Sequence, residues 1–230
     1  MRAHTKHRAD IYETDRLVKS KAYLATLGYT GTINVFSAIE KHVHRPRRQM
    51  AGAALTDRAM RKFEPTMIRE IDVFLKLILE SSRSSDSTGQ IVDLTDRCRR
   101  LGIDISGQLA FGFELKTQTE ATNRFLQEGI TAANAHNNVL IQFPFLNSHI
   151  FAAPLHVLTT GPRNEAFAFV DKMVNTRLSE GKDARQDYFA QIVDQLPKGE
   201  DLRKSDLWSE ALFMIPAGLS APSCMHTLMA

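Results

Sequence analysis

The chain has 230 residues, 43% of them hydrophobic and 24% charged, with a formal net charge of +3. That length holds one domain or two, and the apolar content fits a folded body rather than a disordered chain. So small a charge gives no global case for nucleic acid as a partner.

Residues 1–40 form an irregular lead-in. They are poorly patterned, Gly28 to Thr32 reads as a loop, and the basic start has no apolar stretch behind it to make a signal peptide. Residues 40–48 are the most basic stretch. On a helix His44 and Arg48 are four apart and share a face. Two cationic donors side by side suit a carboxylate or a phosphate, Arg48 through its planar fork. A solvated charged face is the plainer reading of the same residues. Pro46 fits best in the first turn of that helix. His4, His7, His42 and His44 lack carboxylate or cysteine partners at ligand spacing, so no metal site is expected.

Residues 57–80 carry an apolar stripe of Met60, Phe63, Met67, Ile71, Phe74 or Leu75, and Ile78, which predicts a helix. Pro65 is expected to bend or split it. Residues 81–89 read as a Ser-rich loop. A second helix is expected from about Val92, with Leu94, Cys98, Leu101, Ile105 and Leu109 on one face and Gly112 as its C-terminal cap. Cys98 is thereby a core residue. With Cys224 it makes no disulfide framework. A third helix is predicted over 119–134, then an apolar break at 142–146 with Pro154 beyond it. Gly161-Pro162 opens a helix through about Glu180, burying Phe167, Val170, Val174 and Leu178, and Gly181 stops it. A short helix follows from Tyr188 to about Leu196, then a polar turn.

The last helix opens at Ser205, with Asp206 in its first turn against the macrodipole. Its apolar run is interrupted by Pro216-Ala217-Gly218, where a kink is expected. Small residues at a kink leave room for a flat, bulky group against the backbone; a simple kink between packed helices is the alternative. Strand signals are scarce, no run of about twenty apolar residues spans a membrane, and there is no phosphate loop or Gly-x-Ser-x-Gly elbow. The fold class is mainly α.

In this order the segments resemble the middle of a fungal cytochrome P-450 monooxygenase. His44-Arg45-Pro46-Arg47-Arg48 with 54–60 resembles helix C and its exit, and 91–94 through 104–112 resembles helix E. Arg177-Leu178 with Asp187-Tyr188-Phe189 resembles the end of helix G and the start of helix H, and 202–218 the entry into helix I. The resemblance implies a partial P-450 fold, from helix B/C through helix I, over 41–230. It implies haem as cofactor, with His44 and Arg48 on a propionate and Ala217 and Gly218 over the ring. It also implies a small organic substrate, of the kind met in fungal secondary metabolism, and electrons from an NADPH-dependent P-450 reductase.

Two departures bear on activity. The helix I motif reads small-Gly-x-acid-Thr in the family; Ser220 stands here for the acid and Ala221 for the Thr, and a methyl group relays no proton. The family's Glu-x-x-Arg pair and its cysteine loop lie after helix I. Glu13 with Arg16 and Glu200 with Arg203 match the pair by coincidence, and neither Cys98 nor Cys224 has the glycine loop that presents an axial thiolate. A chain truncated at helix I, without the haem-ligating cysteine and inactive alone, is therefore expected. Family members typically sit at the endoplasmic reticulum membrane; with no anchor in these residues a soluble, cytoplasmic chain is expected. Two other functions fit the residues: a non-catalytic helical interaction protein, and a binder of phosphate groups around His44 and Arg48.

Overall fold

The computed structural model describes residues 17–27, 31–83, 93–147, 149–181, 184–185, 187–192, 208–210 and 213–215. They are helical, with no strand among them. The α-helices are α1 (Lys41–Ala54), α2 (Asp57–Arg83), α3 (Leu94–Phe111), α4 (Phe125–Gln142), α5 (His149–Ser179) and α6 (Tyr188–Ile192). Single 3-10 stretches lie at Lys21–Leu27 and Pro144–Asn147. Residues 208–210 and 213–215 are also helical.

Some helices pack on a chain neighbour, whereas α1 packs chiefly on the distant α6. Helix α4 lies along α5, and α2 along α3. The core forms where α3, α4 and α5 meet, around Ile103, Leu126, Met173 and Val174, and is closed by Phe189 and Trp208. The Trp208 indole N–H donates to Asp171 of α5, which satisfies the one polar atom of a fully buried ring.

Helix α3 begins and ends by ordinary capping. The Asp93 carboxylate accepts from Thr95 N at 2.8 Å, and Gly112 closes the helix at φ 61°. Glycine fits this left-handed position without steric cost. The buried side of α3 is not its apolar stripe, however. Leu94 is exposed, Cys98, Leu101, Ile105 and Leu109 are half-buried, and Ile103, Asp104, Gly107 and Phe111 face inward. Asp104 is buried because its carboxylate binds the next segment: it accepts from Thr117 N at 2.8 Å, the Thr117 hydroxyl at 2.8 Å and Gln118 N at 3.1 Å.

Those same bonds explain why α4 starts later than the predicted 119. With Thr117 and Gln118 held by Asp104, the chain continues in turns. Asn123 Nδ2 donates to Leu115 O at 2.7 Å and Arg124 Nε to Thr117 O at 3.0 Å. The helix then runs on to Gln142, past the predicted 134.

Prolines stop fewer helices than expected. Helix α2 passes through Pro65 unbroken to Arg83, absorbing part of the predicted loop. Pro46 stands in the second turn of α1, not the first. Pro46 and the preceding His42 are both exposed, so water can satisfy the carbonyl that Pro46 leaves without a donor. Helix α5 begins at His149, not at Gly161, and includes Pro154 and Pro162. Its buried face holds Val170 and Val174 as expected, with Arg163, Ala166, Met173 and Arg177. Leu178 is exposed because Arg177 takes the inward direction toward Asp187.

Candidate functional site

Helix α1 presents His44, half-buried, and Arg48, exposed, one turn apart. A third cation joins them from the lead-in. Lys19 Nζ donates to Val35 O at 2.7 Å and Phe36 O at 2.9 Å, which fixes it beside the start of α1. The three groups feel one another. Burial first, then the charges of Lys19 and Arg48, hold the His44 imidazole below its ordinary value. Burial and then Arg48 hold the Lys19 amine below its own, with Glu210 opposing. Among the described residues no carboxylate pairs with His44 or Arg48.

Glu210 ties the helical turn at 208–210 to this face. Its side chain is buried, accepts from Val35 N at 2.8 Å and lies 3.9 Å from Arg47 Nε. Arg47 Nε also donates to Ile33 O at 2.9 Å. Ser209 Oγ donates to Thr32 O at 3.1 Å, and Asn34 Nδ2 to Ser209 O at 3.4 Å. Residues 31–37, α1 and residues 208–210 thus form one junction. Beside it stand three rings: Phe36 stacks on Phe213 with centroids 5.4 Å apart, and Tyr23 tilts against Phe36 at 5.0 Å.

The predicted site residues divide cleanly. His44 and Arg48 share a face as their spacing predicts. Ala217, Gly218, Ser220, Ala221 and Cys224 lie outside the described residues, as do Ser205 and the Pro216 kink. Cys98 sits on α3, half-buried, and burial pushes its thiol up.

Sequence reasoning missed Lys19, Arg47 and Glu210. Lys19 and Glu210 lie 191 positions apart in the chain, and no motif links them. Among the described residues no group of three His, Cys, Asp or Glu side chains could hold a metal ion, and no helix is long and apolar enough to cross a membrane.

Fold and face together define a mainly helical protein with a cationic, aromatic-flanked junction near residues 208–213. The sequence matches the model of the Cytochrome P450 family over residues 7–220, and the chain belongs to that family. It is 23% identical over 216 residues to a cytochrome P450 monooxygenase of Gibberella zeae, covering 93% of this chain and 50% of the relative. It is 28% identical over 191 residues to the cytochrome P450 monooxygenase ataY of Aspergillus terreus, covering 81% of each. Averantin hydroxylase of Dothistroma septosporum is 27% identical over 202 residues, 86% of this chain and 36% of that protein. The solved structure of retinoic acid-bound cyanobacterial CYP120A1 superposes with a TM-score of 0.64 at 15% identity, over 94% of this chain and 45% of that one. The chain thus spans about half the length of the Gibberella relative. Membership of this family implies haem.

Proposed function

We propose that the α1 face holds the propionates of haem, and that the chain contributes this part of the pocket to a P450 monooxygenase. The supporting observation is the convergence of Lys19, His44 and Arg48 with no described carboxylate paired to His44 or Arg48. Two cations beside an imidazole that a carboxylate would help to protonate fit a dianionic ligand edge, and the fork of Arg48 suits a carboxylate. Tyr23, Phe36 and Phe213 offer apolar surface beside those charges. Haem, when bound, supplies the iron chemistry of oxygen activation.

The residues of this chain then bind and orient. Lys19, His44 and Arg48 would neutralise the propionates, while Glu210, held by Val35 N and near Arg47, fixes the helical turn at 208–210 against α1. Ala217 and Gly218 are proposed to border the ring. Ala221 holds no proton to pass on; Ser220 and Ser223 are the hydroxyls in that stretch that are proposed to stand in. Cys98 is a poor source of an axial thiolate, because burial disfavours its charged form. The substrate is proposed to be a small organic molecule of the secondary-metabolite type, with electrons from an NADPH-dependent reductase. The 230 residues by themselves are proposed to be catalytically silent.

The test is a haem titration of the purified chain, followed by absorbance. Arg48→Ala and His44→Ala should each weaken haem binding about tenfold, the loss of one charged hydrogen bond. Unchanged affinity in both variants sinks the reading. A second reading, a helical interaction protein, is supported by Ile68, Leu75 and Leu79, which recur at helical spacing on α2 and are exposed. Absence of haem binding, with a stable protein complex recovered from native cells, would favour it.

A further inference from the structure

A cavity of about 440 Å³ lies between α2, α3 and the chain leading into α4, and the haem reading makes no use of it. Three guanidiniums line it. Arg97 and Arg100 are three apart on α3 and share a face, and Arg124 comes from the residue before α4. Arg97 is oriented by Leu77 O at 3.1 Å and the Ser81 hydroxyl at 2.6 Å. Arg124 is oriented by Thr117 O at 3.0 Å and Gln118 O at 3.3 Å. These acceptors aim the two side chains but neutralise neither.

Arg100 is the group that points to a ligand. Its Nε is buried and has no hydrogen-bond partner, and the Oε1 of Gln118, in the same lining, is also buried and unpartnered. A buried donor and a buried acceptor left unmade are unfavourable until something supplies both partners. The one carboxylate in the lining, Glu80, is largely exposed and lies 3.9 Å from Lys76. The cavity is therefore net cationic, and its volume falls within the usual range of small-molecule sites, about 300–1,000 Å³.

We propose that this cavity binds a phosphate-bearing small molecule that also carries a hydroxyl. A tetrahedral oxyanion has enough oxygens for three forks arriving from separate backbone positions, which a single carboxylate lacks. The ligand hydroxyl donates to Gln118 Oε1, and Thr119 stands at the cavity as a further hydroxyl partner. No residue of this site belongs to the α1 face, so the two readings stand or fall separately.

The test is calorimetric titration of the purified 230-residue chain with inorganic phosphate and with glycerol 3-phosphate. Sodium chloride holds ionic strength constant, because screening weakens any diffuse attraction. Both ligands should bind saturably, glycerol 3-phosphate more tightly, and acetate should not. Arg100→Gln should weaken binding at least tenfold, while Arg58→Gln, an equal charge change on exposed α2 surface, should leave it unchanged. If Arg100→Gln fails to fold, Thr119→Glu puts a carboxylate at an exposed lining position and should abolish binding in a folded chain. Phosphatidylcholine vesicles with and without phosphatidylinositol phosphate separate the sources of the phosphate. Retention on the phosphorylated vesicles, competed by glycerol 3-phosphate, assigns a lipid headgroup; binding of the free ligand alone assigns a soluble one. The proposal is overturned if no saturable binding occurs, if Arg58→Gln weakens it as much as Arg100→Gln, or if the folded site variants bind like the parent.

Discussion

Replacing Asp187 by Ser should be among the most damaging single changes outside the α1 face. Arg177 and Asp187 are paired with side chains 1% and 0% exposed, Nε to Oδ2 at 2.6 Å and Nη2 to Oδ1 at 3.2 Å. The guanidinium also donates to Gly181 O at 3.1 Å and lies 4.8 Å from the Phe189 ring centroid. Asp187 Oδ1 accepts from Ala190 N at 2.8 Å, the opening turn of α6. Serine can keep that capping bond but not the ion pair, so the loss isolates the charge interaction. Breaking a buried pair on one side costs about 3–5 kcal/mol, because a desolvated charge is left behind. For a chain of this length that corresponds to a fall in Tm of about 6–20 °C. Urea unfolding followed by circular dichroism reads the midpoint, with an unchanged slope showing that stability alone has moved. Arg177→Met together with Asp187→Ser removes both charges and should cost about 2 kcal/mol or less. A loss below about 1 kcal/mol in the single variant, or additive losses in the double, would refute the reasoning.

Gly107→Ala should destabilise by about 1–2 kcal/mol: its methyl would meet Leu115 Cδ1 at 2.5 Å, and the overpacking outweighs the gain in helix propensity; an unchanged urea midpoint would contradict this. Haem affinity should rise as pH falls through about 6.5, because His44 is held below that ordinary value in the free chain and propionates raise it, so binding takes up a proton. His44→Gln should flatten that pH dependence; a titration series showing tighter binding at higher pH would reverse the sign. In the haem-free chain the same depressed pKa makes protonation favour unfolding, so stability should decline as pH falls through about 6.5. The chain mixed with haem, reduced and exposed to carbon monoxide should lack the red-shifted Soret band of thiolate ligation, and Cys98→Ser should leave its spectrum unchanged; appearance of the band would show that a cysteine of this chain reaches the iron.

Much of the helical layout is legible in apolar spacing, and its failures share a cause. The cap of α3 at Gly112 and the stripe that predicts α2 follow from local rules that tertiary contacts leave intact. The inward face of α3 was not legible, because Asp104 looks like surface until Thr117 and Gln118 are seen to donate to it. Likewise Arg177 displaces Leu178 from the core because a carboxylate ten residues later is there to meet it. Prolines misled for a related reason: within α2 and α5 the surrounding turns hold the helix although one backbone bond is missing. On the α1 face, the four-residue spacing of His44 and Arg48 was visible, whereas Lys19 and Glu210 reach that face through contacts remote in the chain.

The bonds from residues 32–35 to Ser209 and Glu210 span 175 to 177 positions. Closing a loop of that size is entropically costly, although each doubling of length adds only about 0.6 kcal/mol. During synthesis, α1 can coil and α2 can find α3 long before residue 209 exists. The cationic face cannot acquire this wall until residues 209 and 210 have left the ribosome. Until then Lys19, His44 and Arg48 stand on an open surface, so a nascent chain should gain this junction late and in a single closing step, after the local helix pairs have formed.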